Sequence, residues 1–185
     1  KVDAAFNGNS FFWDDMLVAL ATVPAHPWLA RSTIEFWLMV QNKNGGTIPR
    51  EVRKKNLISL WFPETVQYGE EAKPNLTYTN PYLMNWVMDE LFRFDPSDKN
   101  AKLLGRVAAS METYAAWMEK HRAVRDPEGK LIGFNGSALG SGADNSRGRA
   151  GNSAEPRAFQ TAFIDFISQQ AAMYSDIARW SRILA

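Results

Sequence analysis

Residues 129–154 hold seven of the chain's twelve glycines and a single acid, Asp144. Around it the sequence reads Ser-Gly-Ala-Asp-Asn-Ser-Arg-Gly-Arg over 141–149. A stretch of that composition and length within a compact domain is usually functional or disordered, and catalytic groups favour loops held by rigid scaffolds. Read as chemistry, Asp144 is a candidate general acid, a role that needs a pKa raised by partial burial away from cations. Arg147 and Arg149 would oppose that rise if they pointed at Asp144, and are better suited to binding substrate or holding the loop. The competing reading is a solvated loop of balanced charge.

Three further clusters carry polar chemistry. Phe12-Trp13-Asp14-Asp15 joins an aromatic platform for a sugar ring to carboxylates that accept several strong hydrogen bonds from a polyol. The same acids also suit a helix N-terminus. Gly45-Gly46-Thr47-Ile48-Pro49-Arg50-Glu51 couples a glycine helix stop to an adjacent Arg-Glu pair, which as a surface ion pair would contribute little. Asn80-Pro81-Tyr82 reads as a helix opening with an amide beside it.

The remaining composition excludes several classes. A net charge of +1 gives no electrostatic case for nucleic acid or an anionic membrane surface. With no cysteine, disulfides and thiolate metal sites are excluded, and with two histidines, His26 and His121, neither a His-based zinc site nor a Ser-His-Asp triad is expected. No calcium loop is visible and no cofactor is expected. No apolar run reaches the roughly 18 residues of a membrane span. The compartment stays open, and Lys1 in first place points to a processed or truncated start.

The elements that must position these residues read as helices throughout. Asp14 and Asp15 start a helix that Pro24 ends. Pro27 opens a second one, which Gly45 and Gly46 stop. Asn80-Pro81 opens a third, with Leu83, Val87, Leu91 and Phe94 on one face, and Asp95-Pro96 closes it. Residues 101–123 carry an apolar stripe of Leu104, Val107, Ala108, Met111, Ala115 and Met118 at helical spacing. Asp126-Pro127-Glu128-Gly129 is a turn into the apolar, extended run Leu131-Ile132-Gly133-Phe134. Glu155-Pro156 begins a final helix with Phe159, Phe163, Phe166, Ile167, Met173, Ile177 and Trp180 inside. A short helix near Leu57 makes about six, and no set of alternating strands is expected. The polar clusters recur at alternate helix junctions, so an all-α ring of helical hairpins would collect them at one end, around a concave, aromatic-lined funnel.

In order and spacing, Trp13-Asp14, Gly46-Thr47-Ile48-Pro49-Arg50-Glu51, Asn80-Pro81 and Ser141-Gly142-Ala143-Asp144-Asn145-Ser146-Arg147 resemble the motifs of glycoside hydrolase family 63, which includes processing α-glucosidases and mannosylglycerate hydrolases. The trehalases are similar at greater distance. Phe163-Ile164-Asp165-Phe166 and the helix after it also look like the family's next segment, so the resemblance covers nearly the whole chain. It implies an (α/α)6 barrel and an inverting glycosidase without a cofactor, acting on an α-linked glucosyl or mannosyl carbohydrate. Asp144 would be the general acid. Trp13, Asp14, Arg50, Glu51, Asn80, Asn145 and Arg147 would bind substrate. The chain departs from the family after the acid, where Asn145-Ser146-Arg147-Gly148-Arg149 has neither the proline nor the tryptophan often found there.

A barrel of that type needs twelve helices, and residues 1–185 supply about half. The resemblance also places the second carboxylate, the base that activates water, beyond Ala185. The expectation is therefore a partial catalytic domain completed by a second polypeptide or further segment, with no nucleic-acid or membrane partner. Two other readings stay open: a trehalase-like enzyme on the same scaffold, and a non-catalytic helical carbohydrate-binding protein.

Overall fold

The computed structural model describes residues 9–53, 66–67, 79–135 and 164–184. These residues are mainly helical, with five helices and two small sheets among them. Helix α1 (Phe12–Thr22) and helix α2 (Pro27–Lys43) form the first hairpin, α2 starting on its proline as the sequence predicts. Gly45 and Gly46 stop α2 with φ of 64° and 98°, a backbone region that side chains disfavour. A Cβ on Gly46 would sit 2.9 Å from Thr113 Cγ2, so the stop is also a close approach to another helix. Helix α3 (Met84–Phe94) and helix α4 (Asp98–Arg122) form the second hairpin, and helix α5 (Ile164–Leu184) packs on α4.

The core runs between these helices. Met16 and Ala19 of α1, Ile34 and Trp37 of α2, Val87 and Leu91 of α3, and Leu104, Val107, Met111 and Met118 of α4 are all buried. Phe166, Met173 and Trp180 are the buried hydrophobic positions of α5 among the described side chains, with Ile177 partly buried against them. Asp89 accepts hydrogen bonds from Arg179 (2.7 Å) and Trp180 Nε1 (3.2 Å), and Asn85 donates to Asp176 (2.6 Å), which fixes α5 against α3.

Several sequence expectations are corrected. Strands are present: β1 (Asn9–Phe11), β2 (Glu51–Arg53) and β3 (Val66–Gln67) form one sheet in that order, with β1 antiparallel and β3 parallel to β2. Elements of two or three residues are too short to show an alternating pattern. β4 (Ala123–Arg125) and β5 (Leu131–Phe134) form a hairpin, in which β5 is the extended run foreseen and the Asp126–Gly129 turn closes with Gly129 at φ 84°. Asn80-Pro81 does not open α3, which begins at Met84. A residue before proline avoids the helical region, and this segment is held extended by a bridge between Thr79 and Pro49. Phe94 and Ile167, expected on inner faces, are 51% and 37% exposed. Phe94 is the last residue of its helix. The segment near Leu57 and residues 136–163, with Glu155-Pro156, Phe159 and Phe163, lie outside the described residues.

Candidate functional site

Three of the four polar clusters meet in space. Strand β1 pairs with β2 so that Phe11 faces Glu51, and the Phe12 N–H donates to the Arg50 carbonyl at 2.9 Å. The first turn of α1, with Trp13 and Asp14, is therefore fixed beside Arg50 and Glu51. On the other side of that loop, Pro49 bridges Thr79, which brings Asn80 to the same junction. The segments precede α1, follow α2 and precede α3, so two antiparallel hairpins deliver them to one end of the bundle. This is the clustering that loops at alternate helix junctions imply.

Side chains from other elements hold the backbone of this junction. Gln41 Nε2 donates to the Gly46 carbonyl at 2.9 Å. The Thr79 hydroxyl donates to the Ile48 carbonyl at 2.5 Å, and the Tyr114 hydroxyl donates to the Asn80 carbonyl at 2.7 Å. Gln169 of α5 donates to the Tyr82 carbonyl. Beneath them, the Tyr82 hydroxyl lies 2.8 Å from Ser110 Oγ, which donates to Gln41 Oε1. Buried polar groups cost free energy unless paired, and here four of the pairings also fix a loop carbonyl. Desolvation dominates in raising the pKa values of Tyr82 and Tyr114, so both phenols stay protonated as hydrogen-bond donors.

The predicted site residues fall into two groups. Arg50 and Glu51 form an ion pair at 3.1 Å with side chains 8% and 1% exposed, and Asn80 is buried beside them. The surface ion pair considered from sequence is thus overturned by burial. Trp13 and Asp14 are half-buried, with Trp13 packed on the core rim. Asp144, Asn145 and Arg147 lie outside the described residues. The chain enters their segment at Asn135, whose N–H donates to the Arg122 carbonyl at 2.7 Å. Arg122 is itself buried, with its guanidinium 5.1 Å from the centre of the Trp117 ring and near enough to Tyr114 for their charges to interact. Burial lowers its pKa to about 10, against the opposing influence of Tyr114.

Sequence reasoning missed the residues that hold the junction. Gln41, Thr79, Ser110 and Tyr114 lie on apolar helix faces or in a link with no motif, and the only available signal was polar residues interrupting an apolar stripe. It also left Asp14 and Asp15 equivalent. They are not, because Asp15 Oδ2 accepts a hydrogen bond from Trp37 Nε1 at 3.0 Å. Desolvation raises the Asp15 pKa to about 6, although the Trp37 bond lowers it. Asp14 makes no hydrogen bond or ion pair among the described residues.

What fold and site define is a mainly helical protein with a rigid, polar junction at one end of its helical hairpins. Comparison with protein-family models, curated proteins and solved structures finds no match. Among the described residues, no group of three or more His, Cys, Asp or Glu is placed to hold a metal, and no helix is long and apolar enough to cross a membrane.

Proposed function

We propose that this chain is part of an inverting glycoside hydrolase built on an (α/α)6 barrel and acting on an α-linked glucosyl or mannosyl carbohydrate. The observation that carries the reading is the convergence of Trp13-Asp14, Arg50-Glu51 and Asn80 at one end of two helical hairpins. Trp13 offers an aromatic edge and Asp14 an unengaged carboxylate, a pairing that suits a sugar ring with its hydroxyls. The buried Arg50–Glu51 pair supplies a fixed donor and acceptor in low dielectric, where neither has to reorganise as substrate binds.

In this reading Asp144 protonates the departing glycosidic oxygen as the bond to the anomeric carbon breaks. A second carboxylate removes a proton from the water attacking the opposite face. Inversion needs the two carboxyls roughly 6.5–9.5 Å apart to admit that water. Asn145 and Arg147 contact the substrate beside the acid. The base and the remaining helices come from a further segment or a second polypeptide.

The test is turnover by the complete enzyme on a panel of trehalose, kojibiose, nigerose and mannosylglycerate. Asp144→Asn should lower hydrolysis of the preferred substrate by about a thousandfold or more, while calorimetry shows binding retained. Undiminished hydrolysis by the variant removes Asp144 from the mechanism. Preference for trehalose favours the trehalase-like alternative. Tight binding without hydrolysis in the wild type favours a carbohydrate-binding protein.

A further inference from the structure

A groove between α1 and α2 shares no residue with the junction and has a different chemistry. It encloses about 310 Å³, at the lower end of the range for small-molecule sites. Val18, Leu29 and Phe36 form its apolar walls, and the polar atoms come from Asp15, Ser10, Ser32 and Thr33.

The hydrogen-bond inventory of those polar atoms restricts the ligand. Ser32 donates its only hydroxyl hydrogen to the Trp28 carbonyl at 2.9 Å, and Thr33 donates its own to the Leu29 carbonyl at 3.0 Å. Both hydroxyl oxygens are left able only to accept. Asp15 receives Trp37 Nε1–H on Oδ2, and nothing among the described residues donates to its Oδ1. An ionised carboxylate is itself acceptor-only. Among the described residues lining the groove, Ser10 alone keeps a hydroxyl free to donate, and none is Lys, Arg or His. The groove is thus negatively charged, apolar along its walls and short of donors. A sugar would bring its own acceptors and find one donor to meet them. A primary ammonium brings three donors, no acceptor and the opposite charge.

We propose that the α1–α2 groove binds a small primary ammonium, with the –NH3+ group on Asp15 Oδ1 and the hydroxyl oxygens beside it, and a short hydrocarbon body against Val18, Leu29 and Phe36. The ammonium restores to Asp15 part of the solvation that burial removed. Binding requires the ionised acid, so affinity is full above about pH 6 and falls as Asp15 protonates below it. Among the described residues, the charge acting on that titration is Asp14, which adds to the upward shift. No groove-lining residue of α2 is charged.

The experiment is an NMR titration of the full chain with n-butylammonium, n-butanol and butyltrimethylammonium. The reporter is the indole N–H resonance of Trp37, assigned by its loss in Trp37→Phe. At pH 7.5 butylammonium should shift that resonance saturably and bind at least about tenfold more tightly than butanol. Butyltrimethylammonium, charged but without N–H donors, should bind more weakly than butylammonium. At pH 5 the butylammonium affinity should fall about tenfold, and Asp15→Asn should abolish it. Equal binding of butanol would overturn the charge requirement, and equal binding of butyltrimethylammonium would overturn the donor requirement. Binding insensitive to pH, or no shift with any probe, would also overturn the proposal. The probe and pH series need only the wild-type chain, so they decide the matter even if Asp15→Asn fails to fold.

Discussion

Two polar regions of this molecule meet burial differently. At the junction of the 46–51 and 79–82 segments, charge is buried with its counter-charge and the surrounding carbonyls are tied down by Gln41, Thr79, Tyr114 and Gln169. In the α1–α2 groove, one carboxylate is half-buried on a single hydrogen bond from Trp37, and its pKa rises to about 6, chiefly through desolvation. A network of many bonds fixes geometry. A carboxylate held by one bond remains able to titrate and to take a ligand.

The largest expected effect lies at the junction. Glu51→Gln removes the acidic charge from the buried Arg50–Glu51 pair and should cost about 3 kcal/mol, read from denaturant unfolding. A loss below about 1 kcal/mol would mean that the pair is effectively solvated and the contrast with the groove is false. Tyr114→Phe removes the donor to the Asn80 carbonyl and should cost about 1–2 kcal/mol. That variant should keep its core, since the phenyl ring still fills the buried site.

The groove should respond with the opposite sign. A carboxyl whose folded pKa lies above its unfolded value of 3.8 binds more protons in the native state between pH 3.8 and about 6. Its contribution to stability is therefore fully present below about pH 4 and lost as pH rises through about 6. Asp15→Asn, which keeps an acceptor for Trp37, should stabilise the chain by about 1–2 kcal/mol at pH 7, with the gain vanishing below pH 4. Thermal unfolding across that pH range checks it. Destabilisation at pH 7 would show that the ionised acid is well solvated.

Much of the helical frame was legible in sequence because long elements repeat their signals. Pro27 and the Gly45-Gly46 pair bound α2, and an apolar stripe at helical spacing marks α4. The convergence of three clusters was legible too, from their recurrence at alternate helix junctions. Other features depend on long-range contacts with no local signature. β1 and β2 are three residues each and become strands by pairing across 40 residues of chain. Asn80-Pro81 carries a helix-start signal, yet its bridge to Pro49 and the Tyr114 bond keep it extended. Asp14 and Asp15 are alike in composition and differ only because Trp37, on the next helix, reaches one of them. Burial of the Arg50–Glu51 pair likewise depends on neighbours distant in sequence.

The most direct measurement of the proposed chemistry is proton NMR of the first product released by the complete enzyme from its preferred α-linked substrate. The β-anomer should appear first and then mutarotate, and Asp144→Asn should abolish its release. Initial release of the α-anomer, or the same product at the same rate from the variant, would contradict an inverting hydrolysis driven by Asp144.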